Sequence, residues 1–143
     1  MKTYILFILA LMTTMIIACN DEINKMPTSK LVETIRGGCA DGLPPSGAIL
    51  WEKSDTVYHY IKDNFLYVYV GFNATCCILF DDNAKMTSDE IELSLNEISD
   101  DQCDCMCWYE FTFKFTGFEN KLYNYYVKVD GKLKFSGQID LRE

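Results

Sequence analysis

Apolar and polar side chains alternate with a period of two along much of the chain after Ala48. The clearest case runs from Cys103 to Phe115. One set of alternate positions carries only cysteine and aromatic side chains: Cys103, Cys105, Cys107, Tyr109, Phe111, Phe113 and Phe115. The positions between them are mainly polar, as in a strand that turns one face to a core and the other to solvent. This pattern predicts a half-buried strand.

Other segments share this period and are separated by turn signals. Further strands are predicted at Thr56–Ile61, Phe65–Phe72, from about Thr75 to Asp81-Asp82-Asn83, Ile91–Leu95, Tyr123–Val129 and Leu133–Leu141. Asp63-Asn64 and Asp130-Gly131 are predicted hairpin turns, because these residue types tolerate positive φ. Phe65–Phe72 is apolar on both faces, which indicates a central strand. Seven or eight short strands predict an all-β, antiparallel β-sandwich of immunoglobulin-like size, with a small β-barrel as the alternative.

The first 18 residues have the pattern of a secretory signal peptide, with Lys2 before an apolar stretch that ends at Ala18. That stretch is shorter than the roughly 20 apolar residues of a membrane-spanning helix. Residues 19–36 are interpreted as a tether, although Leu31–Arg36 also fits a short helix or an edge strand. A segment rich in glycine and proline follows, and the folded domain is predicted to cover residues 37–143.

The end of the apolar stretch carries a specific motif. Ile16-Ile17-Ala18-Cys19 resembles the lipobox of bacterial lipoproteins: an apolar residue, a variable one, a small one, then cysteine. The resemblance implies cleavage before Cys19 and acylation of that residue, with the chain held at the cell envelope by its lipids. The acidic Asn20-Asp21-Glu22 that follows is similar to tags on surface lipoproteins of Bacteroidetes. We therefore expect an outer-membrane location, either periplasmic or surface-exposed.

Six cysteines remain after Cys19, an even number that predicts a disulfide framework in an exported domain. They are Cys39, Cys76, Cys77, Cys103, Cys105 and Cys107. The last three point to one face of a strand with Cα atoms about 6.6 Å apart and parallel Cβ vectors, a poor geometry for bonding to each other. Each is expected to pair with one of the first three, which leaves six pairings. Because Cys76 and Cys77 would face opposite ways in a regular strand, we predict a bulge or strand end at Ala74–Cys77. A thiolate site for zinc or copper(I) is the alternative.

Aromatic residues away from the cysteine face are the candidate ligand contacts. Trp108 lies on the opposite face of its strand, and Tyr125 belongs to a tyrosine-rich strand, so Trp108 and Tyr125 are proposed as a possible ligand face. His59 is the only histidine, in a setting typical of a packed or exposed residue rather than a catalytic one. Acidic pairs such as Asp81-Asp82 are too common to single out as catalytic carboxylates. No catalytic residues, metal ligands or cofactor are predicted.

The net charge of −8 argues against nucleic acid as a partner, because an acidic chain repels phosphate backbones. The Cys76-Cys77 pair and Cys103-x-Cys-x-Cys107, with an aromatic strand and a lipobox, resemble small cysteine-rich lipoproteins of gut Bacteroidetes. The leading hypothesis is a non-enzymatic, envelope-anchored lipoprotein that contacts the membrane through its lipids and binds a protein or a glycan. The alternatives are a small hydrolase that uses acidic residues and a protease-resistant inhibitor module.

Overall fold

Eight strands and one short 3-10 helix follow one another in the part of the chain that the structure describes. In the computed structural model, which describes residues 29–41, 53–99 and 104–142, the elements have these bounds. They are β1 Lys30–Gly38, the 3-10 helix Cys39–Asp41, β2 Thr56–Lys62, β3 Phe65–Thr75, β4 Phe80–Met86, β5 Glu90–Glu97, β6 Met106–Thr116, β7 Leu122–Val129 and β8 Lys132–Asp140. Within those ranges no helix is long and apolar enough to span a membrane.

The strands form two four-stranded sheets. The first sheet has the order β1-β6-β3-β2, and the second has the order β4-β5-β7-β8. This arrangement confirms the predicted β-sandwich. The second sheet is mixed rather than purely antiparallel, because β5 and β7 run parallel. The chain leaves that sheet to form β6 and re-enters it at the end where β5 began, and this crossover makes the pair parallel.

The core lies between the two sheets. Alternate residues of β3, β5 and β6 point into it with no more than 1% of their surface exposed: Leu66, Val68, Val70, Phe72, Ile91, Leu93, Leu95, Tyr109, Phe111, Phe113 and Phe115. The alternation predicted for β6 is confirmed from Cys107 to Phe115, while Cys103 lies outside the described residues. As predicted, β3 is central, since it lies between β6 and β2.

Both predicted hairpin turns are confirmed. Asp63 and Asn64 have φ of 52° and 62°, and Asp130 and Gly131 have φ of 48° and 70°. Positive φ at both central residues gives the turn the twist that two antiparallel strands require. These turns set the β2–β3 register, in which Lys62 lies opposite Phe65, and place Val129 opposite Lys132.

The N-terminal strand extends the domain beyond its predicted start. β1 pairs with β6 from Lys30 to Gly38, so the sheet includes residues that the composition assigns to a tether. The edge-strand interpretation of Leu31–Arg36 is therefore correct. Arg36 reaches the second sheet, where its Nε donates to Asp82 Oδ1 at 2.6 Å.

The predicted strand end at Asp81-Asp82-Asn83 is wrong. β3 continues through Thr75, and the three polar residues lie within β4. Edge strands tolerate this because alternate side chains reach solvent. The inward carboxylate of Asp82 is only 7% exposed and is paired with Arg36.

Two disulfides join elements at the end of the sandwich away from Lys30. Cys39 is bonded to Cys107 with Cα atoms 6.1 Å apart, and Cys76 is bonded to Cys105 with Cα atoms 5.4 Å apart. For Cys105 and Cys107 this confirms the predicted type of pairing. Cys77 is also disulfide-bonded. Cys103 lies outside the described residues, so its predicted bond to one of Cys39, Cys76 and Cys77 stays a prediction.

The predicted irregularity before Cys77 is confirmed. β3 ends at Thr75, and Cys77 has a φ of 72°. This left-handed conformation breaks the alternation of the strand, so that neighbouring cysteines need not face opposite sides of the sheet.

Candidate binding surface

The outer face of the first sheet carries two rows of side chains that cross all four strands. Register places Ile35, Thr112, Tyr69 and Tyr58 in one row and Glu33, Lys114, Tyr67 and Tyr60 in the next. We call the surface formed by Ile35, Tyr58, Tyr60, Tyr67, Tyr69, Thr112 and Lys114 the tyrosine face. Ile35 is 50% exposed, Tyr58 50% and Tyr60 42%, so much of this face meets solvent.

The four tyrosines stack in pairs across the β2–β3 hairpin. The ring centroids of Tyr58 and Tyr69 are 4.4 Å apart at an interplanar angle of 21°, and those of Tyr60 and Tyr67 are 4.8 Å apart at 5°. Aromatic pairs opposite each other on neighbouring strands stabilise a sheet. Because Tyr58 and Tyr60 lie on the edge strand, each has one ring face against its partner and the other directed away from the sheet.

Trp108 is on the predicted outer face of β6, but its side chain is buried there. Only 5% of its surface is accessible. Its ring lies over Gly71, where any Cβ atom would collide with the indole and with Tyr69. The Lys53 ammonium also covers the ring, 5.4 Å from its centroid. Trp108 therefore supports the tyrosine face and is not available as a flat platform for a ligand.

A hydrogen-bond network fixes Trp108 beside the tyrosines. Glu110 Oε1 accepts from Trp108 Nε1 at 2.8 Å and from Lys53 Nζ at 3.0 Å. Burial disfavours ionisation of Glu110, but hydrogen bonds from Lys53, Trp108 and Tyr69 outweigh this effect and lower its pKa. Burial and the negative charge of Glu110 raise the pKa of Tyr69 to about 12. Tyr69 is thus a neutral phenol at physiological pH.

A second ion pair joins Lys114 of the tyrosine face to Glu33 on its β1 border. Lys114 Nζ lies 2.9 Å from Glu33 Oε1 and 4.4 Å from the centre of the Phe65 ring. The hydrogen bond to Glu33 raises the pKa of Lys114. Opposite charges at this border neutralise each other, so the exposed part of the face is dominated by phenol and aliphatic groups.

Tyr125 lies on a different surface from Trp108. It points into the sandwich from β7, is partly buried against the core, and packs over Gly137 of β8. The structure does not bring Trp108 and Tyr125 together, so the ligand face proposed from sequence is not one surface. The difference arises because they belong to separate sheets and Tyr125 faces inward.

His59, Glu97 and Asp130 are titratable residues that lie outside the tyrosine face. His59 is exposed on β2. Burial and the nearby Asp130 raise the pKa of Glu97. Asp130 lies in an exposed turn, and its carboxylate accepts a hydrogen bond from the Glu97 backbone N–H at 2.7 Å. The described residues include no group of three histidine, cysteine or acidic side chains that could hold a metal ion.

Comparison with protein-family models, with curated proteins and with solved structures finds no match to this chain.

The tyrosine face has a signal in the sequence that is independent of Trp108 and Tyr125. Tyr58 and Tyr60 are as far before the Asp63-Asn64 turn as Tyr69 and Tyr67 are after it. A two-residue hairpin places such residues directly opposite each other on one face. This surface offers a binding partner exposed aromatic rings and phenol hydroxyls on a rigid sheet.

Proposed function

We propose that this protein is a lipid-anchored envelope protein of a bacterium, which binds a protein or a glycan through its tyrosine face and catalyses no reaction. The observation that carries the proposal is the set of four stacked tyrosines on one rigid outer face, two of them about half exposed. Tyrosine offers apolar area and a hydrogen-bonding hydroxyl at a small cost in side-chain entropy, which is why binding surfaces are rich in it.

The carboxylates of Glu110 in the first sheet and Asp82 in the second support binding rather than catalysis. Glu110 is held ionised by its hydrogen-bond donors, and Asp82 is paired with Arg36. General acid catalysis instead needs a carboxyl group whose pKa is raised within a cleft. The preorganised aromatic surface reduces the entropy lost when a partner binds.

The anchor is supported by the lipobox resemblance around Cys19 and by the disulfides, which persist in oxidising compartments outside the cytoplasm. Cys19 itself lies outside the described residues. Several acyl chains on one cysteine would hold the protein firmly, whereas a single chain anchors only marginally.

We expect cells that express the full chain to incorporate labelled palmitate into it, and a Cys19→Ser variant to lose the label and leave the membrane fraction. A Thr14→Ser variant changes the same segment without removing the acylated residue, so it should keep the label. Label retained in Cys19→Ser would contradict the anchor.

The binding surface is tested with a Tyr60→Ser/Tyr67→Ser variant, which removes one stacked pair. Tyrosine is enriched among the interface residues whose loss costs about 2 kcal/mol or more, and about 1.4 kcal/mol is a tenfold change in affinity. We expect affinity for the partner, identified by glycan arrays and by cross-linking to envelope proteins, to fall at least tenfold.

The matched control is Leu133→Ser, which removes an exposed apolar side chain from β8 in the second sheet. It should bind like the unmodified protein. Circular dichroism and urea denaturation establish that both variants are folded. Equal loss of binding in both variants, or in neither, would show that the tyrosine face is not the binding surface.

A further inference from the structure

The four edge strands of the sandwich differ in how they are protected against pairing with another chain. β1 has an irregularity between Leu31 and Glu33. β8 lies beside another irregularity and carries Lys132 and Lys134. β4 carries three charged residues: Asp81, Asp82 and Lys85. Bulges and charges are the usual means by which natural sheets keep their edges from pairing.

β2 lacks these features. Among the described strands it pairs only with β3, through seven consecutive positions without a register shift. Its sequence is Thr-Val-Tyr-His-Tyr-Ile-Lys, with no proline and no acidic residue, and its only Lys or Arg is Lys62 at its end. A regular, unbulged edge of this kind, with its single Lys at one end, is a template for another strand.

The hairpin turn determines which backbone groups of β2 face outward. In a two-residue turn the residues on either side, here Lys62 and Phe65, are a hydrogen-bonded pair. Since hydrogen-bonded and non-hydrogen-bonded pairs alternate, Tyr60 and Tyr58 also bond toward β3. The N–H and C=O groups of Val57, His59 and Ile61 therefore point away from the sheet.

These outward-facing residues are symmetric about His59, and so are their neighbours. Tyr58 and Tyr60 lie on either side of His59, and Val57 and Ile61 lie beyond them. In an antiparallel pair of two identical strands centred on His59, aromatic residues meet aromatic residues and β-branched residues meet β-branched residues. This self-complementarity is what a two-fold symmetric interface requires.

We infer that two copies of this chain pair through β2, antiparallel and centred on His59, to join their first sheets into one eight-stranded sheet. His59 lies opposite the partner's His59, Tyr58 opposite the partner's Tyr60, and Val57 opposite the partner's Ile61. The outward ring faces of Tyr58 and Tyr60 gain aromatic partners, and the two tyrosine faces become continuous. This self-association is independent of the ligand proposed above.

The strength of this pairing follows from its size and charge. One strand edge buries less than the roughly 1,000 Å² of a stable interface, so the dimer is weak and reversible. Each copy has a net charge of −8, and the two repel. Because salt screens charges beyond about 8 Å at physiological ionic strength, the dimer fraction should rise with added salt.

A His59→Cys variant tests the arrangement directly. Opposing residues of a hydrogen-bonded antiparallel pair have Cα atoms about 5.5 Å apart, within the range that a disulfide spans. With the full chain in detergent at a large excess of micelles, we expect mild oxidation to produce a covalent dimer at least ten times faster than for Leu133→Cys. That control places a thiol at a similarly exposed position on the β8 edge.

Charge variants in the His59→Cys background test the register. Val57→Lys/Ile61→Lys places lysine opposite lysine on both sides of the axis and should abolish trapping. Val57→Glu/Ile61→Lys places opposite charges there and should restore it. Urea denaturation shows whether the two variants are equally folded. Trapping no faster than in Leu133→Cys, or equal trapping in the two charge variants, would overturn the inference.

Discussion

Replacing Cys39 and Cys107 with alanine is expected to lower the free energy of unfolding by about 4 kcal/mol. The bond closes a segment with a sequence separation of 68, so its removal allows the unfolded chain many more conformations. Alanine is preferred to serine because both cysteines are buried and an unpaired hydroxyl would add its own cost. A shift in the midpoint of urea denaturation measures the effect.

The control for this experiment is Met106→Ser, which alters the exposed residue between Cys105 and Cys107 and leaves the disulfides intact. Surface changes of this kind normally alter stability by less than about 0.5 kcal/mol. If the double alanine variant unfolds at the same urea concentration as Met106→Ser, the bond does not stabilise the domain.

Phe111→Ala is expected to destabilise the protein by about 3–5 kcal/mol, because it leaves a cavity at the centre of the core. Phe111 has no exposed surface, and its ring centre is 5.9 Å from that of Phe80 and 6.2 Å from that of Phe72. These rings come from both sheets, so the cavity lies where the layers meet. The loss is a large fraction of the roughly 5–15 kcal/mol that holds a domain folded.

Two further variants serve as comparisons for Phe111→Ala. Phe111→Leu keeps most of the volume and should cost less than about 1.5 kcal/mol. Thr112→Ala changes the next residue on the outer face and should cost much less than Phe111→Ala. Equal urea midpoints for Phe111→Ala and Thr112→Ala would show that the inner face of β6 is not packed as described.

The strands that alternate cleanly could be predicted from sequence, because burial of one face imposes a period of two. β6 and the two hairpins with Asp63-Asn64 and Asp130-Gly131 belong to this class. β4 could not be delimited in this way. Its inward Asp82 is accommodated by Arg36, 46 positions earlier, and no local pattern records that pairing.

The candidate site was harder to predict, because exposure depends on register between distant strands. Alternation correctly placed Trp108 on the outer face of β6, but only the tertiary structure brings Gly71 and Lys53 to cover its ring. Tyr125 was misplaced because the sequence does not show which side of β7 faces the first sheet. The tyrosine pairs were predictable in principle, since the turn alone sets their register.

The position of β1 also has a mechanical consequence. Lys30 lies opposite Thr116 at one end of the sandwich, whereas Cys39, just beyond the other end of β1, is covalently joined to Cys107. Tension applied at Lys30 and directed away from the sheet would break the β1–β6 hydrogen bonds one after another, from Lys30 toward Gly38. This separation stops at Cys39, after the nine residues of β1 are released from the sheet. The released segment spans about 30 Å when it is extended. The Cys39–Cys107 bond therefore limits how far tension at Lys30 can peel the chain from β6.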